Sequence, residues 1–259
     1  MCRTPSWMVG LVAWLTVAGA WLAVPAWAGP ADEPFDYFRN SFNVVGLKDY
    51  DHAARVTPEN EILLAARGGR GEKVTYDGRL SLRFGRELTP LSRRQVKTCM
   101  DGWLPVMQLQ ARDAEVRYDF RYWAAPLPAV KDWRKAFDWP TEGQNFLVWV
   151  TATATNTGDQ PARARLRAEQ TGPGAPDRPR EFEWTLRPGR SARAVLRVPF
   201  WPVKDPASFD KEDPDVWLQR TADCWKGLLA GAARIEVPCR KSTETLLAAH
   251  VCQLIANDG

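Results

Sequence analysis

Aromatic side chains crowd the stretch from Tyr118 to Trp139, where Tyr118, Phe120, Tyr122, Trp123, Trp133, Phe137 and Trp139 fall. Sugars present apolar C–H faces, and a flat indole stacks on such a face while nearby polar groups take the hydroxyls. Trp123, Trp133 and Trp139 are therefore the candidate carbohydrate-binding residues. Trp133 and Trp139 lie in a polar, Pro-bounded segment with Lys131, Asp132, Arg134, Lys135 and Asp138, and loops on a rigid scaffold commonly carry binding residues. The competing use of the same rings is packing, because large aromatics bury much area and dominate cores and interfaces.

Carboxylates are the next chemistry to weigh. Glycoside hydrolysis needs an acid and a base or nucleophile at a fixed separation, and Asp101, Asp119, Asp138, Glu142 and Glu169 are the acids on offer. Nothing in their spacing brings two together, and Asp119 and Glu169 occupy outward positions of expected strands. The arginine rows Arg163, Arg165, Arg167 and Arg193, Arg197 could hold an acidic polysaccharide, yet strand alternation alone accounts for them. The acidic run Asp205, Asp210, Glu212, Asp213, Asp215 lacks the residue order of a calcium loop. His52 and His250 are the two histidines, neither beside a nucleophile motif, and the cysteines show no Cys-x-x-Cys spacing, which argues against zinc. No catalytic residue, metal or cofactor is assigned to this chain.

The elements that must position these groups are mostly strands. Leu80, Leu82 and Phe84 alternate with Ser81 and Arg83; Val116, Tyr118, Phe120 and Tyr122 alternate with Arg117, Asp119 and Arg121. Phe146 to Thr155 is β-branched and aromatic and ends at the turn signal Asn156-Thr157-Gly158-Asp159. Ala162, Ala164, Leu166 and Ala168 oppose Arg163, Arg165 and Arg167. Glu181–Leu186 and Ala192–Val198 follow, separated by Arg187-Pro188-Gly189-Arg190, which suits a type II turn. Short strands separated by turns predict an antiparallel β-sandwich, each sheet with one packed and one wet face.

After the Pro- and Asp-rich stretch 202–214 the period changes. Asp213 with Pro214 opens a helix carrying Trp217, Leu218, Thr221, Cys224, Trp225, Leu228 and Leu229, and Gly231 stops it. A second helix is expected from Ser242 to Ala256, with Leu247, Val251, Leu254 and Ile255 on one face. Two short helices packed only on each other would leave part of their apolar stripes wet. They either pack back onto the sandwich or continue into more helices. The second course leaves Trp217, Trp225, Leu228, Leu247, Val251 and Leu254 as an incompletely covered apolar surface.

The N-terminus reads as a secretory signal. Arg3 is followed by an apolar run from Trp7 to Val24 and by Pro25-Ala26-Trp27-Ala28, so cleavage after Ala28 is expected. A retained membrane anchor is the competing reading, since the run approaches the roughly 18–20 residues needed to span. Export implies a periplasmic or extracellular site and makes disulfides possible among Cys99, Cys224, Cys239 and Cys252, whose three full pairings sequence cannot rank. A formal charge of +4 argues against a general nucleic-acid partner.

This order is a sandwich, an acidic linker, Trp217 to Leu229, Ile235-Glu-Val-Pro238 and a helix near Asn257-Asp258-Gly259. Together with Leu80–Gly85, Asp101–Pro105 and Asn145–Asp159, it resembles the N-terminal supersandwich module of bacterial six-hairpin (α/α)6 glycosidase-like proteins. With the signal peptide at 1–28, the resemblance implies a supersandwich-like domain over 29–205 and a linker with two helices over 206–259 that would begin a truncated toroid. It implies a non-catalytic module whose acid and base lie in a missing helical domain or companion chain, with carbohydrate as the ligand and no membrane association after cleavage. The alternative is a free-standing secreted sandwich that binds glycan or a partner protein.

Overall fold

The computed structural model describes residues 43–48, 53–67, 74–92, 95–128, 133, 146–172, 174–199, 209–232 and 237–255. The expected export signal, His52, Trp139, Asp138 and Glu142 lie outside them. The strands are β1 (Asn43–Gly46), β2 (Ala53–Val56), β3 (Ile62–Arg67), β4 (Val74–Phe84), β5 (Thr89–Pro90), β6 (Lys97–Met100), β7 (Leu104–Asp113), β8 (Val116–Pro126), β9 (Phe146–Asn156), β10 (Ala162–Thr171), β11 (Arg180–Leu186) and β12 (Ser191–Pro199). Two helices follow, α1 (Pro214–Leu229) and α2 (Arg240–Ile255).

The described strands form two antiparallel sheets. The first runs β1-β2-β3-β4-β10-β11, with β5 against β4, and the second runs β12-β9-β8-β7-β6. The architecture is mainly β, a sandwich with two C-terminal helices, as the alternation predicts. Inward residues from both sheets build one core, with Leu80, Leu82 and Phe84 meeting Tyr118, Phe120, Tyr122, Ala164, Leu166 and Leu196. Phe84 meets Tyr118 edge-on at 5.3 Å between ring centroids, a favoured aromatic geometry.

The turns are built as their residues dictate. Gly189 has φ +68°, and the Arg190 N–H donates to the Arg187 carbonyl at 3.0 Å, closing the β11–β12 turn. Asn156 is fully buried and ties that turn to the one after β9. Its Nδ2 donates to the carbonyls of Gln160 (2.7 Å) and Leu186 (2.9 Å), and its Oδ1 accepts from the Gly158 N–H at 2.9 Å. Between β6 and β7, Asp101 and Gly102 both take positive φ, and the Trp103 N–H donates to the Met100 carbonyl. That is the mirror-image turn that Asp-Gly favours.

The expectation of one wet face per sheet fails on the second sheet. Along β8 the outward residues are charged up to Arg121 and then become apolar, with Trp123 and Ala125 buried. Along β9 the outward Thr151, Thr153 and Thr155 give way, nearer the strand start, to Leu147 and Trp149. Trp123 and Trp149 are direct cross-strand partners. This apolar end is covered by the helices: Trp217, Leu218, Ala222 and Trp225 of α1, and Val251 and Ile255 of α2, form a second core with Leu104, Val106, Trp123, Ala125, Leu147 and Trp149. Part of the molecule is therefore three layers deep.

The expectation of an incompletely covered apolar surface on the helices is corrected for its three buried members, Trp217, Trp225 and Val251, while Leu228, Leu247 and Leu254 keep part of their surface exposed. Trp217, Trp225 and Val251 are buried, and half-buried Leu228 and Leu254 pack against the same cluster. The helices pack back because the outer face at this end of β8 and β9 is itself apolar. Asp213 caps α1 as expected, its side chain accepting from the Asp215 N–H at 2.9 Å, with Pro214 opening the helix. The second helix starts earlier than Ser242. The Cys239 carbonyl accepts from the N–H groups of Ser242 and Thr243, so the first turn already includes Arg240. No helix among the described residues is long and apolar enough to cross a membrane.

Candidate functional site

Four tryptophans, drawn from β8, the segment after it, β9 and α1, stack in sequence. Trp123 of β8 lies 5.8 Å from Trp149 of β9 with rings 6° apart. Trp149 lies 6.0 Å from Trp217 of α1 at 20°, and Trp217 lies 5.5 Å from Trp133 at 24°. The run begins in the sheet-helix core, where Trp123 and Trp149 are wholly buried, and ends at Trp133, which keeps part of its surface in solvent. Trp217 is further fixed by its indole N–H, which donates to Glu212 Oε2 at 2.8 Å. The indole N–H groups of Trp123 and Trp149 find no partner among the described residues, so these two rings act through their faces and buried area.

The three sequence candidates thus separate. Trp123 is sealed beneath α1, and in this packing neither of its faces is open to a ligand. Its position is the packing use of the aromatic segment. Trp133 is partly exposed and stacks on the fixed plane of Trp217, so of the three it alone is described with surface left in solvent. Trp139 lies outside the described residues. Two cations attend the run: the Arg197 guanidinium sits 4.8 Å from the centre of Trp149, and that of Arg220 sits 5.3 Å from Trp217. Such cation–π contacts hold ring orientation as well as charge.

The described candidate carboxylates, Asp101, Asp119 and Glu169, do not converge on one another. Asp101 lies in the β6–β7 turn and pairs with Lys226 of α1 at 3.2 Å. Asp119, on the outer face of the second sheet, accepts from Arg117 at 2.9 Å and from Gln110 at 2.7 Å. Glu169 lies on the outer face of the opposite sheet and pairs with Arg167 at 2.8 Å. Both sheets of the sandwich stand between Asp119 and Glu169, a spacing of about 10 Å for the layers alone.

The arginine row of β10 is matched by acids on the same sheet face. Arg163 and Arg165 meet Glu183, and Arg167 meets Glu169 and Glu181. This leaves little unbalanced positive charge to hold a polyanion. The β12 arginines have a different role, which the sequence reading missed. Arg193 binds Asp215 through two nitrogens at 2.7 and 2.9 Å. Arg197 donates to the Glu212 carbonyl at 2.7 Å and pairs with Asp210 at 3.7 Å. Asp210, Glu212 and Asp215 of the acidic linker are the counter-charge that seats α1 on the sheet. Opposite charge at β12 and at the helix start was the available signal.

Other chemistry is sparse among the described residues. No group of His, Cys, Asp and Glu is placed to hold a metal ion. Tyr122 has a buried hydroxyl without a described partner, and burial pushes its pKa far up. A cleft near Leu80, Gln170, Arg180 and Leu196 has a volume of about 10 Å³, room for little more than one water and far below the roughly 300–1,000 Å³ of small-molecule sites. Comparison with family models, with curated proteins and with solved structures finds no match to the chain.

Proposed function

We propose that this chain is an exported carbohydrate-binding β-sandwich module with no catalytic step of its own, and that Trp133 is the stacking ring of its ligand site. One observation carries the reading: a partly exposed tryptophan whose ring is held against Trp217 at the outer end of a run of packed tryptophans. A ring ordered in advance loses little freedom when a sugar stacks on it, so a preformed platform supports affinity. The export part of the proposal rests on the N-terminal apolar run and its Ala26-Trp27-Ala28 ending.

The module of a six-hairpin glycosidase-like protein is the narrower form of this reading and rests on the order of segments. The burial of Trp217, Trp225 and Val251 against the sheet favours the free-standing form, because the helices already serve as one layer of the sandwich. The test is calorimetric titration of residues 29–259 with a panel of neutral and acidic oligosaccharides. At least one should bind with saturable heat, and Trp133→Ala should abolish that binding while the chain keeps its folded circular dichroism spectrum and a cooperative, if lowered, denaturation midpoint. No binding across the panel, or binding indifferent to Trp133, would sink the proposal.

A further inference from the structure

The Trp217 indole holds two neighbours that both reach solvent. Trp133 stacks on it with 5.5 Å between ring centroids, and the Arg220 guanidinium lies 5.3 Å from its centre. The ring itself is fixed by Trp149 at 6.0 Å and by the bond from its N–H to Glu212 Oε2 at 2.8 Å. Arg220 follows Trp217 by three residues in α1, so the two side chains are neighbours on the helix surface. Trp149 and Trp217 are buried, Trp133 is half-buried and Arg220 is exposed. A ring and a cation thus both stand at the outer end of the tryptophan run. They are no farther apart than their two distances from Trp217 together allow.

Arg220 is the one charged group of α1 without a polar partner among the described residues. Asp215 binds Arg193, Asp223 accepts from Gln219 at 2.8 Å, and Lys226 pairs with Asp101 at 3.2 Å. Contact with an aromatic face holds the guanidinium in place and leaves its N–H donors for another acceptor. The sequence around Trp133 sets Lys131, Arg134 and Lys135 against Asp132 and Asp138, so it also leans positive.

A ligand that suits this pair has an apolar face for the indole and a carboxylate for the cation. A hexuronic acid has both on one sugar: C–H groups form the apolar face, and the carboxylate projects from the rim of the ring. The planar fork of arginine matches a carboxylate through two parallel N–H···O bonds. We propose that the Trp133 site takes an acidic oligosaccharide, its uronate ring stacked on Trp133 and its carboxylate held by Arg220. The inference rests on the reading of Trp133 as the stacking ring and names the substrate class of that site. Arg220 is then the residue that sets the preference for acidic over neutral sugars.

The test is calorimetric titration of the full chain with oligomers of galacturonate, glucuronate and mannuronate, each beside its methyl ester. Esterification removes the charge and leaves the sugar rings in place. At least one acid should bind about tenfold or more tighter than its ester at low salt, and the gap should narrow at about 0.5 M sodium chloride. Arg220→Gln should lower the acid to the affinity of its ester and leave ester binding unchanged. Arg220→Lys keeps the charge without the fork and should retain part of the gap. Arg163→Gln removes the same charge from the opposite sheet and should leave the gap whole. Trp133→Ala should abolish binding of acid and ester alike. Acid and ester bound equally, or neutral sugars alone bound, with Trp133 still required, would overturn this inference and leave the stacking reading standing. A gap that survives Arg220→Gln, or that falls as much with Arg163→Gln, would also overturn it by tracing the preference to other charges. Binding that ignores Trp133 would take the stacking reading down as well.

Discussion

The two arginine rows look alike in sequence and end in different surroundings. Arg163, Arg165 and Arg167 of β10 alternate with small apolar residues, and so do Arg193 and Arg197 of β12. On β10 the guanidinium groups stay partly in water and pair with glutamates of the same sheet. On β12 they reach the start of a helix: Arg193 grips Asp215 and Arg197 grips the chain around Glu212 while lying over Trp149. The Arg163 side chain is 60% exposed and that of Arg197 only 12%. Alternation thus reports which side of a strand is polar. Whether that polar side meets water or a further layer depends on charges and rings placed elsewhere in the chain.

The strongest way to break the contrast is to remove the covering layer's central ring. Trp217 touches Trp149 and Trp133 by stacking and Glu212 by hydrogen bond. Trp217→Ala should cost about 3–5 kcal/mol, read as a shift of the urea midpoint of the full chain. A loss under ~1 kcal/mol would mean that the helices do not stabilise the sheet beneath them. The arginines themselves give the middle-sized test. Arg197→Met should cost about 1–3 kcal/mol, since it deletes hydrogen bonds from a charged, mostly buried group. Arg163→Met should cost ~0–1 kcal/mol, as exposed ion pairs do. Equal losses at the two positions would erase the distinction between the rows.

How much of this was legible beforehand follows from the range of each interaction. Strand alternation is local, so β4, β8, β9, β10, β11 and β12 could be read from adjacent residues, as could the Asp213-Pro214 start of α1. β7 was missed although Met107, Leu109 and Ala111 alternate with Gln108, Gln110 and Arg112; Pro105 and the doubly buried Leu104 and Val106 blur the pattern at its start. The stacking of Trp123 on Trp149 and then on Trp217 needs strand register and helix docking together, which no local window carries. The doubly buried end of β8 was visible as the run Trp123-Ala124-Ala125 after three charged outward positions. Reading that change as a second covered face would have placed the helices and taken Trp123 out of the ligand candidates.

The smallest effect concerns Asp215 and acid. The Arg193 hydrogen bonds lower the Asp215 carboxyl below its ordinary 3.8, with the charges of Arg193 and Arg121 acting the same way and partial desolvation opposing them. A carboxyl depressed in the folded state holds its proton less tightly there than in the unfolded chain. Its contribution to stability is therefore complete above the ordinary value and is lost as pH falls through the lower, folded one. Asp215 is well exposed, its side chain 61% accessible, so screening keeps the contribution to at most ~1 kcal/mol. Asp215→Asn should lower stability slightly at pH 7, and the two proteins should converge in denaturation midpoint as pH falls below the ordinary 3.8 and through the lower, folded-state value. Urea melts at a series of pH values test this directly. If the difference persists unchanged in acid, the carboxylate's charge is not what seats α1 on Arg193, and the contrast between the two arginine rows then rests on Arg197 and the tryptophans alone.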